Sequence, residues 1–501
     1  MQNRILAPLL LPAVCLIIGI TIGRYFSFSS SLILSVLIST LVGAVLLKRW
    51  EYLQSLCLCL ACGMVGCLLC LHQQTKLRME WPTEEHCWQM VVTSEPVVHG
   101  KTVWMDALLA TTGQKIQLRL MRDERSQQLT VGDGLVIRST IKPLSAQGSY
   151  RTYQETHGYV GEVFVWRNRW QRDSISLENL SIIDRTRLFF LHKRHLLLQQ
   201  VKGTITTHQD DYAILAAMTL GDKSAISREQ KESYAIAGTS HLLALSGLHL
   251  GIIYMLLSWL FRNCRRQLLS QVLLVASVWG FVLLVGMPSS VVRAAVMISI
   301  YALVTLLNRS KAPVNTLALA AIVMLCFNPY SLFDAGFQLS FAAVLAILLF
   351  VPLFESLFTT QRLPLTFLKS MTAVSIAAQI GTAPLVAYHF GRFSPWFLLS
   401  NYVSIPLVTI ILYAMLLLLL LGFWPMLQTT FSIVPATLAS WLNGWTSWVA
   451  SLPLASIDGL RPTLFQVFLL YLIIGCCYWL LCYFERHGGG RKKRRNNFVL
   501  L

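Results

Sequence analysis

Apolar runs close to 20 residues long recur along this chain. A helix needs about 20 such residues to cross a bilayer, so each run predicts a membrane span. Three open the chain, at roughly 5–22, 30–47 and 55–71. Eight more follow, at 241–261, 268–287, 291–307, 314–327, 335–354, 371–390, 395–422 and 463–484. Between the two blocks the pattern changes. Residues 89–98, 101–110, 114–121, 135–141 and 159–166 alternate apolar and polar at period two, with Gly100, Gly113 and Gly132-Asp133-Gly134 as turns. About five short strands of this kind predict a small barrel, with the five-stranded OB type as the best match. Residues 185–236 read as helix, with Asp184, Thr207 and Asp210 placed for N-caps or first turns. They fit an amphipathic stretch along the membrane surface or a solvent helix packed on the barrel.

The expected fold is therefore a polytopic α-helical membrane protein of about 10–12 spans, with a small extracytoplasmic OB-like β-barrel inserted after the third span. Its expected divisions are three N-terminal transmembrane helices (1–71), the OB-like domain (72–184), a helical, amphipathic linker (185–240), a second membrane domain (241–484) and a basic tail (485–501). MQNR followed by an apolar run, without a small-residue cleavage site, predicts a retained first span. Basic residues set the orientation. Arg4, Lys48, Arg49, Arg262, Arg265, Arg266, Arg309, Lys311, Arg362 and Lys369 fall at alternate span ends and mark the cytoplasmic side, which puts the barrel outside. The register is open only near the C-terminus. The tail with its RKKRR run (491–495) lies outside if 395–422 is one span, and inside if Pro406 divides that segment into two half-spans. A crossing at 427–453 would also bring it inside, although Trp441, Trp445 and Trp448 on one face favour an interfacial helix.

Composition sharpens this picture. The chain has 501 residues, 55% hydrophobic and only 13% charged, with a mean hydropathy of +0.58. Those values exclude a soluble enzyme, a secreted disulfide scaffold and a disordered tail. Net charge is +18, yet residues 72–240 hold 21 Lys and Arg against 18 Asp and Glu. The rest of the chain holds 20 basic and 5 acidic residues. Cation transporters usually carry carboxylates at membrane depth, whereas here only Asp334 and Glu355 approach it, at span ends. A conduit for anions suits that pattern. Cys57, Cys59, Cys62, Cys67 and Cys70 crowd one apolar span as small packing residues, and Cys87 is alone in the insert. No metal site follows from spacing, and no cofactor is expected.

Candidate chemistry lies in four polar strings within apolar spans. In GTSHLLALSGLHLG (238–251), His241, Ser246, Gly247 and His249 gather at a span's outer end. Small-residue packing explains them structurally, whereas a hydroxyl three residues from an imidazole could serve as a nucleophile. PSSVVRAAVM (288–297) places Arg293 one turn into a helix, where it could snorkel. NPYSLFDAGFQLSFAAVLAI (328–347) puts Asp334 and Gln338 four apart on one face, with Asp334 at the helix start. The stretch 378–407 contains Gln379, Pro384, His389, Arg392, Asn401 and Pro406. Prolines at membrane depth free backbone groups and are tolerated where helices line a cavity or a protein interface.

Taken together and in this order, these strings closely resemble the competence domain of the ComEC family of bacterial DNA-internalisation proteins. LGDKSAISREQKESYAIAGTSH (220–241) resembles the entry into that domain. The likeness is dense over roughly 205–430 and weaker over the barrel. It implies that 241–484 is a competence-type channel in the inner membrane, carrying one DNA strand to the cytoplasm during natural transformation. His241, Ser246, Gly247, His249, Arg293, Gln338, Gln379 and Asn401 are the channel and entrance candidates that follow. The likeness also implies base stacking on the OB-like domain, for which Trp104, Tyr150, Tyr153 and Trp166 are candidates, although Trp166 could be core. The domain's near-neutral charge is unlike the basic groove of most OB binders. Because the chain stops at 501, it is expected to be a short form without the family's metallo-β-lactamase-like domain. Strand degradation would then fall to a separate nuclease. No GxxxxGK[ST] string is present. Pulling force is therefore expected from a cytoplasmic helicase-like motor or DNA-trapping proteins, with a periplasmic DNA receptor upstream. The expected protein is thus no enzyme and has no catalytic group. The alternatives are an intramembrane serine hydrolase using Ser246 and His249, and a small-anion transporter. The latter lacks the internal repeat usual for transporters.

Overall fold

A computed structural model describes residues 8–26, 28–144, 148–176, 178, 180–205, 209–264, 266–307, 312–357 and 363–488. Arg4, Thr207, Arg265, Arg309, Lys311, Arg362 and the run 491–495 lie outside the described residues. Three apolar helices open the chain, α1 (Leu10–Tyr25), α2 (Ser30–Leu46) and α3 (Glu51–Leu77). Small residues let α1 and α3 approach backbone to backbone. A methyl group added at Gly66 would lie 2.5 Å from the carbonyl oxygen of Leu16, and one at Gly19 would collide with Gly63. Such close contact is what drives helix association where lipid removes the hydrophobic incentive.

The chain then enters a sheet, with strands β1 (His86–Val92), β2 (Val97–His99), β3 (Thr102–Leu109), β4 (Lys115–Met121), β5 (Gly134–Ser139), β6 (Tyr159–Val165) and β7 (Trp170–Arg172). A short helix α4 (Glu124–Gln127) follows β4, and α5 (Ser149–Thr156) precedes β6. Strand order is β6-β4-β3-β1-β5-β7, with β2 paired to β3. All pairings are antiparallel except β4 with β6. The period-two alternation is realised directly. Val103, Met105, Ile116, Leu118, Leu120, Leu135, Ile137 and Val163 point into one buried core. The expected small barrel does not close. β7 occupies the free edge of β5, with Leu135 opposite Arg172 and Ile137 opposite Trp170. The β6 side reaches the β5 side through one isolated bridge, Lys142 with Glu162, and through the Ser139 hydroxyl, which donates to the Phe164 carbonyl.

Three helices follow, α6 (Ile182–Thr204), α7 (Gln209–Leu220) and α8 (Arg228–Ile236). The linker expectation is corrected at α7, which lies neither on a membrane surface nor in solvent. Asp211 and every residue from Ala213 to Leu220 are buried. The helix is apolar on all sides, which suits a central position. It packs in one core with Val408, Leu412 and Met415, and with Ala436 and Ala439.

The remaining helices are α9 (Gly247–Phe261), α10 (Gln267–Leu284), α11 (Ser289–Leu306), α12 (Pro313–Phe327), α13 (Ala335–Leu357), α14 (Leu363–Phe390), α15 (Phe397–Leu420), α16 (Pro425–Phe431), α17 (Ile433–Ala450) and α18 (Leu464–Gly488). Pro406 does not divide α15, so the two half-spans are not present. Segment 427–453 is divided between α16 and α17, with Trp441 and Trp448 exposed and Leu442 and Val449 buried. A two-residue ladder, β8 (Arg392–Phe393) with β9 (Ile457–Asp458), ties the ends of α14 and α17 together.

Among the described residues, seven helices are long and apolar enough to cross a membrane, and four further apolar helices are shorter. Only 6% of the apolar window of Leu464–Phe484 is buried, so most of its apolar surface has no protein partner and calls for lipid. The chain is a multi-pass membrane protein.

The α1–α3 contact yields a prediction. Gly66→Leu should lower the thermal unfolding midpoint of the detergent-purified protein, at a cost of about 1–3 kcal/mol for overpacking. An unchanged midpoint would refute the close approach.

Candidate functional site: a polar junction at the helix starts

Three helix starts converge in the second membrane domain. The loop before α9 is fixed to α11 by Ser290 Oγ, which donates to the Leu245 carbonyl. Gly247 faces Ala294, and a methyl group there would sit 3.6 Å from its Cβ. Ser246 and His249 then close the first turn of α9. The Ser246 hydroxyl lies 2.9 Å from His249 Nδ1, and the Ser246 backbone N–H donates to the same nitrogen at 3.3 Å. Because Nδ1 accepts from the backbone, the imidazole proton belongs on Nε2. His249 is fully buried, and Nε2 has no hydrogen-bond partner.

Arg293 is only 3% exposed. It donates to the Gly336 carbonyl at 2.9 Å, while Asp334 Oδ2 lies 3.9 Å from its other terminal nitrogen. Asp334 in turn accepts from the Phe337 backbone N–H at 3.0 Å, at the start of α13. A side chain at Gly336 would crowd both the Asp334 carboxylate, at 3.0 Å, and the guanidinium, at 3.5 Å. One turn on, Gln338 donates to the Leu332 carbonyl and meets His389 Nε2 at 2.8 Å. Arg293, Asp334, Gln338 and His389 thus join α11, α13 and α14 through polar contacts inside an apolar bundle.

The other candidates are distributed differently. His241 is exposed on a 3-10 turn, Ser240–Leu242. Gln379 is half-buried on α14. Asn401 is on α15 with its Oδ1 buried and unpartnered, beside Ser400 and Ser404, whose hydroxyls are in the same condition. Neither Gln379 nor Asn401 is hydrogen-bonded to the Arg293 network. Sequence reasoning weighed Asp334 as a helix-start carboxylate and named His389 without a role. The four-residue spacing of Asp334 and Gln338 was the available signal for a shared face, but the partners come from distant segments.

On the sheet, the four stacking candidates fall into two groups. Trp104 is engaged by Arg119, whose guanidinium lies 4.2 Å from its ring centroid, and by a hydrogen bond to Thr102. Trp166 is 58% exposed, with Phe164 edge-on beside it, so it is a surface residue rather than core. Tyr150 and Tyr153 stack on each other along α5. That helix covers the polar face of the sheet, where Tyr150 and Gln154 both donate to Gln117. Its far end is strapped to the helices. Glu155 pairs with Arg24 at 2.9 Å, and the Asn328 side chain donates to the Thr156 carbonyl. Burial at this seam pushes the Lys115 ammonium below its ordinary pKa, opposed by Asp106 at 2.9 Å. Burial also lowers the His157 imidazole and raises the Tyr153 phenol. The strap escaped sequence reading because Arg24 and Glu155 lie 131 residues apart.

The family described as Competence protein matches residues 218–483. ComE operon protein 3 of Bacillus subtilis is 29% identical over 311 residues, which is 62% of this chain and 37% of that protein. An uncharacterized protein of Aquifex aeolicus is 31% identical over 218 residues, covering 43% of this chain and 49% of its own length. The uncharacterized protein YcaI of Escherichia coli is 24% identical, over 46% of this chain and 33% of its own. The chain spans less than half the length of each of these relatives. No solved structure matches.

The Arg293–Asp334 contact can be measured. Arg293→Met should destabilise the protein by about 3–5 kcal/mol, because it leaves a carboxylate unpaired in an apolar setting. Adding Asp334→Asn should recover at least about 1 kcal/mol of that loss. Additive effects in this double-mutant cycle would mean the pair is not coupled.

Proposed function

This chain belongs to the Competence protein family, the ComEC type that its membrane strings resemble, and from that premise we propose that it is an inner-membrane conduit for one DNA strand during natural transformation. The observation that carries the reading is the convergence at the starts of α9, α11 and α13, where three of the four family-like strings meet within the matched span 218–483. A strand is a polyanion, and a lining with unpaired carboxylates would repel it. The Asp334 charge is met by Arg293 and by a backbone N–H.

In this reading the spans number about 10–12, the long helices being supplemented by the shorter apolar ones, and the sheet faces the periplasm. The sheet is OB-like. The parallel β4–β6 pair within an otherwise antiparallel order supports this, as does its incomplete closure, since OB folds are partly open barrels. Trp166 and Tyr153 offer rings to unpaired bases, whereas Trp104 and Tyr150 position their neighbours. Arg293 holds the α11–α13 contact rather than the strand itself, and His241 lies at the entrance. Asn401, Ser400 and Ser404 offer unpartnered acceptors and hydroxyls along α15. The chain's partners in this reading are a periplasmic DNA receptor, a nuclease that degrades the other strand, and a cytoplasmic helicase-like motor or DNA-trapping proteins. The Ser246–His249 contact at 2.9 Å keeps an intramembrane hydrolase as the second reading. Its weakness is the missing orienting group, since His249 Nε2 is buried without an acid partner.

Deletion of the gene in its native host should abolish chromosomal integration of labelled homologous DNA, while label still accumulates outside the inner membrane. Equal transformation with and without the gene would overturn the conduit. Labelling by a fluorophosphonate that disappears in Ser246→Ala would instead favour the hydrolase. Trp166→Ala should weaken binding of an oligothymidylate to the purified protein by about 1–3 kcal/mol, the usual worth of one stacked base. Undiminished affinity would remove Trp166 from the strand's path.

A further inference from the structure

A cavity of about 580 Å³ lies where α3 ends, below the sheet and beside the first turns of α6. Its walls combine apolar side chains, Leu77, Leu108 and Leu180 among them, with the cations Lys76, Lys115 and Arg187. Lys115 is matched by Asp106. Asp184, the one carboxylate in the lining, is bonded to the Ser181 hydroxyl at 2.6 Å. Lys76 and Arg187 remain as the cations that could meet an anion. Arg187 lines the cavity, with one terminal nitrogen 3.5 Å from the Gly286 carbonyl and its Nε buried without a hydrogen-bond partner.

The position of the cavity narrows the class of anion. Lys76 is in the last turn of α3, whose apolar stretch Glu51–Leu77 is one of the candidate spans. The end of a span is the level of the lipid headgroups. Beside the cavity, α6 shows bare apolar residues, with Ile182 81% exposed, Ile183 69% and Phe189 58%. Ile182, Phe189 and Leu196 are seven apart and fall on one helix face, as in a helix dipping into the bilayer surface. Paired cations beside such a face are the usual recognition for an acidic headgroup.

We infer that this cavity is a binding site for the phosphodiester headgroup of an anionic phospholipid, held by Lys76 and Arg187 between α3, α6 and the sheet. The lipid would join the sheet to the membrane helices at a seam otherwise closed by Arg24–Glu155 and by His195, whose Nδ1 lies 2.8 Å from Glu95. This site stands independently of the strand-conduit reading.

The test uses the full-length protein in detergent, with native mass spectrometry and thermal unfolding after addition of phosphatidylglycerol or phosphatidylcholine. Wild type should retain phosphatidylglycerol at least five-fold over phosphatidylcholine and unfold at a higher temperature with it. Lys76→Ala, an exposed position that leaves packing intact, and Arg187→Ala should each reduce that preference, and the double variant should lose it. Arg138→Ala, an exposed cation elsewhere on the sheet, should keep it. Equal retention by the folded double variant would overturn the site. So would equal stabilisation by inorganic phosphate, which would mean a free-anion site. Stabilisation by oligothymidylate that depends on Lys76 and Arg187, without any from phosphatidylglycerol, would assign the cavity to nucleic acid instead.

Discussion

A guanidinium that is 3% exposed inside an apolar helical bundle must draw partners from the fold, and the arrangement around Arg293 depends on that demand, with only its Nε left unpartnered. Its partners come from one short stretch, the Gly336 carbonyl and the Asp334 carboxylate at the start of α13. The requirement propagates outward. Asp334 must cap α13 to remain in reach, Gly336 must lack a side chain to leave room, and α11 must begin where Arg293 lies one turn inside. The same turn of α11 contributes Ser290, which fixes the loop leading to α9. Four polar groups thus set the relative heights of three membrane helices, something that non-directional apolar contacts cannot do on their own.

Much of this fold was legible because membrane helices and half-buried strands leave strong periodic signals. The runs at 268–287 and 291–307 became α10 and α11 with ends shifted by a few residues. The period-two strings became β1 and β3 to β6. What could not be read was pairing. The sheet edge taken by β7 rests on three residues, Trp170–Arg172, too few to show alternation. α7 carries no polar face, so its pattern does not say what surrounds it. The answer came from α15 and α17, more than 180 residues later in the chain. Pro406 looked like a break, yet a proline costs a membrane helix little where neighbouring helices or side chains meet the freed carbonyl.

The candidate site shows the same division. Residue types and local spacing picked out Ser246 with His249, and those two do meet. They also picked out Arg293, but not its role. As an isolated arginine in an apolar helix it invites a reading as a ligand for phosphate. In the structure one terminal nitrogen donates to the Gly336 carbonyl and the other lies 3.9 Å from Asp334, so the side chain links α11 to the start of α13. Gln379 and Asn401, though in the same string as His389, stand apart from this network.

The seam between the sheet and the helices is the place where these two kinds of order meet. On the sheet side, Gln117 receives two donors from α5, and Glu162 pairs with Arg119 at 2.5 Å. On the helix side, Asn328 and Arg24 hold the end of the same α5, and Arg24 also lies over the rings of Tyr330 and Phe333. Phe333 immediately precedes Asp334, and Tyr330 lies one turn earlier on the same 3-10 segment, Pro329–Phe333. A displacement of α5 would therefore be felt at the turn that presents the carboxylate to Arg293. One physical connection between a sheet able to expose aromatic rings and the helix starts that meet in the membrane domain is this short helix and its two anchoring side chains. Any coupling between occupancy of the sheet and the state of the helices has a direct route through Arg24, and a bulky ligand on Tyr153 would press on that same helix.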